Sequence, residues 1–228
     1  MQTLKILAAL LHYPEQEVQA AAPELRALVT ADPLLRESDR RDLAAFLSRL
    51  QKGDLLELQS EYVATFDRGR KLSLHLFEHV HGESRDRGQA MVDLIEVYRH
   101  NGFELNAREL PDYVPLFLEF LSQIPRPKAK DLLADAMPVL TMLGARLERR
   151  ESSYAAIFGA LEVLGGGSPD ANSIRRKIAE EGADQTIVQM DKIWEEEAVT
   201  FLGSPQQGCG MGAASEQPVR WVTPSRRS

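Results

Sequence analysis

The sequence predicts an all-α protein: one compact helical bundle over residues 1–202 and a Gly/Ser/Pro-rich, disordered tail over residues 203–228. Apolar residues recur at three- and four-residue spacing through almost every segment up to Phe201. No run of β-branched residues alternates with polar ones between turn signals. The breaks between periodic segments are short and carry Pro, Gly or Asn, which favours antiparallel neighbours in a bundle.

Leu4, Leu7, Ala8 and Leu11 share one helical face, and Pro14 closes that element because the residue before a proline avoids helical geometry. Val18, Ala22, Leu25 and Leu28 predict a second helix that Pro23 should kink or split. Ser38 is the expected N-cap of a third, which buries Leu43, Phe46, Leu47 and Leu50. Gly53 ends it, and Asp54 caps a fourth with Leu55, Leu58, Tyr62 and Phe66 inward. Met91, Leu94, Ile95 and Tyr98 repeat the spacing before a stop at Asn101-Gly102. Pro111 suits the first turn of a helix carrying Val114, Phe117, Leu118, Leu121 and Ile124, which Pro125 and Pro127 end. A long helix over residues 128–151 should kink near Pro138, and Ser152 or Ser153 should cap the next, with Ile157, Leu161 and Leu164. Gly165-Gly166-Gly167-Ser168-Pro169 reads as a linker. A last helix or helix pair spans about residues 172–201, with Ile187, Met190 and Trp194 on one side.

The content of 43% hydrophobic and 27% charged residues is ordinary for a soluble globular protein. No apolar run approaches the roughly 20 residues of a membrane span, and Lys5 interrupts the first apolar stretch, so a cytoplasmic N-terminus without a secretory signal is expected. The single cysteine, Cys209, rules out an internal disulfide and a CxxC pair. A net charge of −7 disfavours nucleic acid and suits a basic peptide. GxxxxGK[ST], GxGxxG and GxSxG are all missing, and Cys209 lies in the tail. No catalytic residue and no cofactor is therefore assigned.

The stretch from Phe66 to Val92 breaks the generic pattern. It sets the apolar run Leu72 to Val80 before a charged loop and carries His75, His79 and His81. If residues 72–80 are helical, His75 and His79 share a face with Glu78 adjacent, a spacing that can hold a divalent ion. HExxH is not met, and histidines packed around a groove satisfy the same pattern. The loop Glu83-Ser84-Arg85-Asp86-Arg87 alternates in sign, as a solvated turn or as the polar rim of a peptide groove. Glu109 and Asp112 either cap the helix after Pro111 or meet an arginine of a bound peptide. Glu195, Glu196 and Glu197 beside Trp194 read as a solvated helix face. Trp221 and Arg226-Arg227 are the tail's one contact candidate.

FDRGR at residues 66–70, LFEHVHGESRDRGQAMVDL at 76–94 and NARELPDYVPLFLEFL at 106–121 strongly resemble the NarJ-type assembly chaperones, the δ chain of respiratory nitrate reductase, within the TorD-like group. The resemblance covers most of the chain before Gly203. It implies a TorD-like helical bundle, a cytoplasmic chaperone and no catalysis. The implied partner is the N-terminal segment of the nitrate reductase alpha subunit, alone or in an alpha–beta complex, with molybdenum cofactor biosynthesis proteins as further partners. The apoenzyme would be held off the membrane while molybdenum cofactor is inserted, and the chaperone would be absent from the finished complex. The group often carries an acidic residue and then Pro-x-Asp-His. Here Glu109, Pro111 and Asp112 match, while Tyr113 stands at the histidine and cannot become a cation near neutral pH.

On this reading the peptide lies in a groove lined by Leu76, Phe77 and Phe117, with His79, His81, Arg85, Arg87 and Tyr113 around it. Glu78, Glu83, Asp86, Glu109 and Asp112 would engage its basic residues. The rival from another class is a small metalloprotein using His75, Glu78 and His79. A third is a nucleotide-responsive regulator, an activity discussed for the wider group, although no phosphate-cradling loop supports it here.

Overall fold

The computed structural model describes residues 1–82, 84–105 and 109–182. Its α-helices are α1 (Gln2–Leu11), α2 (Gln16–Ala31), α3 (Glu37–Lys52), α4 (Leu55–Tyr62), α5 (Leu76–His81), α6 (Arg85–His100), α7 (Val114–Gln123), α8 (Arg126–Arg149), α9 (Ala155–Gly165) and α10 (Ala171–Glu180). The all-α expectation holds. Among the described residues the one extended pairing is an isolated antiparallel bridge between His75 and Tyr113.

Helix α1 is the central strut. Leu4, Leu7 and Leu11 are fully buried, and the helix packs along α7, whose Val114, Leu118 and Leu121 are equally buried. Each such leucine contributes about 1.5–3 kcal/mol when it leaves water. α2 pairs with α3, α3 reaches α9, and α8 packs on α9 and α10. Leu43 and Leu47 of α3 meet Ile157 and Leu161 of α9 in one continuous core. Among the described residues no helix is long and apolar enough to cross a membrane.

Several local expectations are corrected. α2 runs on through Pro23, so the expected split does not occur, and α8 likewise runs on through Pro138. Both prolines are exposed, so water can satisfy the carbonyl that each leaves without an amide partner. Ser38 sits inside α3, whose N-cap is Arg36. Pro111 precedes the next helix by a turn; Pro115 opens α7, with Tyr113 as N-cap. Pro125 caps α8 and Pro127 occupies its first turn, so the pair both ends one helix and starts another. Neither Ser152 nor Ser153 caps α9, whose N-cap is Tyr154. Asp54 does cap α4, accepting the Glu57 amide at 3.1 Å. Of the helix expected over 172–201, α10 is the described part. Ile187, Met190, Trp194, the glutamates after it, Cys209 and the tail lie outside the described residues.

The chain between α4 and α6 departs most from regular helix. α4 runs into a π-helical turn, Val63–Asp67, followed by a 3-10 turn, Arg70–Leu72. Ser73 to His75 is then extended. Residues 72–80 are therefore not one helix. α5 starts only at Leu76, and His75 is its N-cap. Gly82 ends α5 at φ +56° and ψ −128°, a conformation open to glycine and strained for any residue with a Cβ.

Candidate functional site

The irregular segment from Ser73 to His75 is held by the turn before α7. Val114 donates its amide to the Leu74 carbonyl at 2.8 Å, and Leu76 donates to the Asp112 carbonyl at 3.0 Å. This two-rung ladder joins the 66–92 stretch to the 109–121 stretch. The turn itself is closed by the Tyr113 amide on the Leu110 carbonyl at 3.1 Å. From the α6 side, the buried Tyr98 hydroxyl donates to the Pro111 carbonyl at 2.6 Å.

Asp112 is the keystone of this seam. It is 0% exposed, accepts the Phe77 amide at 3.0 Å and faces His75 Nδ1 at 3.3 Å. Burial works to raise its pKa. The hydrogen bonds from His75 and the Phe77 amide, with the nearby charges of His75 and Arg87, outweigh burial and hold it below the usual carboxylate value. Its carboxylate is turned inward and shapes the loop. The sequence expectation of an acid on a groove rim is corrected here, because the ladder pulls Asp112 beneath the surface.

Glu109 and Tyr113 do line a surface cleft. With a volume of about 240 Å³, it lies between the end of α1, the π turn and the ladder. Its walls are Tyr13, Tyr62, Phe66, Ser73, Leu74, His75 and Tyr113, and its charged rim is Asp67 and Glu109. The π turn adds a residue per turn at the end of α4 and sets Phe66 and Asp67 into this wall. Tyr62 stands edge-on to Tyr13 at 5.6 Å, and His12 stands edge-on to Tyr113 at 5.6 Å. The hydroxyls of Tyr62 and Tyr113 meet at 3.3 Å. Burial pushes the pKa of both phenols up, so both are neutral at physiological pH. Aromatic faces beneath a carboxylate rim suit a guanidinium or ammonium group.

The remaining expected residues are placed as follows. Leu76 and Phe117 are buried in the core. Phe77 is half-buried, with its ring 5.9 Å from that of His81. Glu78 accepts from the Ser73 hydroxyl at 2.6 Å. His79 donates from Nε2 to the Ser73 carbonyl at 2.7 Å. Burial lowers the His79 pKa, so the ring is neutral near pH 7. Arg85 and Asp86 are exposed on the first turn of α6. Arg87 is half-buried, and its Nε finds no hydrogen-bond partner among the described residues. Glu83 lies outside the described residues.

The metal reading depended on a shared helical face that does not form. His75 turns to Asp112, His79 to a backbone carbonyl and Glu78 to Ser73. Among the described residues no group of three or more His, Cys, Asp or Glu side chains converges as a metal would require.

Sequence reasoning missed His12, Tyr13 and Asp67 and took Tyr62 for plain core. The visible signal was the His-Tyr-Pro step that ends α1, where two ring side chains fall at a helix terminus. Nothing local in the sequence says that this terminus abuts Tyr113.

Residues 13–159 match the family model described as nitrate reductase delta subunit. The chain is 44% identical to the nitrate reductase molybdenum cofactor assembly chaperone NarJ of Escherichia coli K12 over 222 residues, covering 97% of this chain and 93% of that protein. It is 42% identical to the probable assembly chaperone NarW of the same strain, with the same coverage. It is 32% identical to the probable chaperone NarJ of Bacillus subtilis, covering 72% of this chain and 90% of that protein. Phe66, Asp67, Glu109 and Tyr113 of the cleft lie in the runs that carried the resemblance, and with these matches over nearly the whole length the chain belongs to the NarJ-type nitrate reductase molybdenum cofactor assembly chaperones, a family of chaperones and not of catalysts.

Proposed function

We propose that this chaperone binds the basic, apolar N-terminal segment of the nitrate reductase alpha subunit, alone or in its alpha–beta complex, at the cleft beside the His75–Tyr113 bridge. It thereby keeps the apoenzyme in the cytoplasm, off the membrane and open to molybdenum cofactor insertion, in concert with the cofactor's biosynthesis proteins. It leaves before the complex is finished. The observation that carries this reading is the cleft's composition, with Tyr13, Tyr62, Phe66 and Tyr113 beneath the carboxylates of Asp67 and Glu109. Aromatic faces bind cations and apolar side chains alike, and the two acids set the sign of the ligand. Asp112 acts from within by holding the loop that presents Glu109 and Tyr113. Phe77, His81, Asp86 and Arg85 lie along the neighbouring α5–α6 surface and extend the contact.

The test is calorimetric titration of the protein with a synthetic peptide of the alpha subunit's first residues, at low and high salt. Saturable binding that weakens with salt is expected. The Asp67→Lys, Glu109→Lys double variant should lose at least tenfold in affinity while keeping its fold by circular dichroism. Unchanged affinity in that variant would put the site elsewhere.

A further inference from the structure

The chain itself carries a segment chemically suited to this cleft. Residues 218–228 read PVRWVTPSRRS, with Trp221 between Arg220 and Val222, further arginines at 226 and 227, and no acidic residue. This contrasts with the overall charge of −7 and with the acidic run Glu195–Glu197 that precedes it. The cleft offers the complement: tyrosine and phenylalanine rings with Asp67 and Glu109, and no Lys or Arg among its described lining residues.

The last described residues are tied to the segment that leads into the cleft wall. The carbonyl of Gly182 accepts a hydrogen bond from Lys71 Nζ at 2.9 Å. Glu181 is clamped by Arg146, Nε at 3.0 Å and Nη2 at 2.5 Å, and Arg146 also donates to the Lys71 carbonyl at 2.7 Å. Lys71 precedes Ser73, the first residue of the extended segment that walls the cleft, and four residues span at most about 14 Å to His75. The last described residue is therefore tied, through the Lys71 side chain, to the chain two residues before Ser73. The intervening residues up to Val219 reach well beyond that distance even when far from extended.

We propose that the chain's own segment Val219–Arg227 occupies the cleft when no client is bound, with Trp221 among the rings and its flanking arginines at Asp67 and Glu109. The proposal rests on reading the cleft as the client site and adds that a client must displace this tail. A tethered ligand competes at an effective concentration set by its linker, in the millimolar range for flexible linkers of modest length. Client affinity is then reduced by the fraction of chaperone whose cleft is filled.

The test uses the full-length chain. A Trp194→Phe variant leaves Trp221 as the only tryptophan. Its fluorescence should be blue-shifted and shielded from acrylamide relative to a free peptide of residues 216–228. Adding Asp67→Lys and Glu109→Lys should expose it. Shielding equal to that of the free peptide, or shielding that survives the charge reversals, overturns the proposal. Shielding lost on dilution assigns the contact to a second copy's tail and overturns it too. In a parallel arm, Arg220→Ala with Trp221→Ala should bind the alpha-subunit peptide roughly threefold to tenfold more tightly than the parent. Equal, measurable affinity overturns tail occupancy and leaves the client reading intact. If neither chain binds the peptide, the client reading fails, and the fluorescence arm decides the tail separately.

Discussion

The backbone of His75 is bridged antiparallel to that of Tyr113, and their rings lie 5.5 Å apart. A helical protein here uses one short piece of sheet, and places its candidate client site against it. A ladder fixes the register of two segments more tightly than a loop does, because a slip of one residue would turn every side chain to the opposite face. The relationship puts His75, Glu109 and Tyr113 on one cleft and turns Asp112 beneath it.

Asp112→Ala removes the acceptor of the Phe77 amide and of His75. A buried donor left without a partner costs about 1–3 kcal/mol. Urea denaturation should register a loss of that order. Asp112→Asn keeps a carbonyl for Phe77 and should lose less. Equal losses in the two variants would mean that the carboxylate does not organise the turn.

The two tyrosines that touch through their hydroxyls should respond differently. Tyr62 also donates to the buried Leu11 carbonyl at 2.9 Å. Tyr62→Phe therefore strands that carbonyl and should cost about 1 kcal/mol or more. Tyr113→Phe gives up only the 3.3 Å hydroxyl contact and should change stability by less than about 0.5 kcal/mol. The comparison is made by thermal or urea unfolding of both variants.

His79 should make the fold acid-sensitive. Its folded pKa is lowered by burial, with Arg146 adding to that effect and the Ser73 carbonyl, Glu78 and Asp112 opposing it. The unfolded chain thus takes up a proton first as pH falls below about 6.5. Stability is full above that value and declines as pH drops toward the folded pKa. Asp112 acts in a separate, lower window, because its depressed pKa protects the fold until pH falls below the ordinary carboxylate value. His79→Gln, which can still donate to Ser73, should flatten the slope between pH 7 and 5. A slope unchanged in that variant would assign the acid sensitivity to other groups.

Gly82→Ala isolates backbone strain. Among the described residues nothing lies within 4 Å of a Cβ added there, so no clash with them contributes. The positive φ alone should cost about 1–3 kcal/mol and loosen the joint between α5 and α6. Amide hydrogen exchange should rise in α5 first.

The helices were readable because their apolar spacing is regular and their caps are local. Asp54 and the Leu43–Leu50 face needed no information from elsewhere in the chain. The expected split at Pro23 does not occur, because whether a proline breaks a helix depends on whether its orphaned carbonyl can be satisfied in the assembled bundle, and Pro111 lies a turn ahead of the helix it was expected to open. The candidate site was half legible. Glu109 and Tyr113 stood out by their turn and by the family motif. Leu76, Phe117 and Asp112 were expected at the surface because a ladder between residues 74–76 and 112–114 leaves no periodic trace. His12 and Tyr13 came from a segment that meets the motif only through the packing of α1 on α7, and Asp67, although inside FDRGR, enters the cleft wall only through the π turn after α4.

The cleft's four contributors, around residues 12–13, 62–67, 73–75 and 109–113, are far apart in the order of synthesis. A ribosome-bound chain that has emerged only as far as α6 exposes pieces of the pocket and no pocket. Under the proposed function, client capture at this cleft would wait until the N-terminal helix has found α7, a long-range closure that belongs to the slow part of folding. Competence to hold a client there would in this way be a report on the chaperone's own maturity.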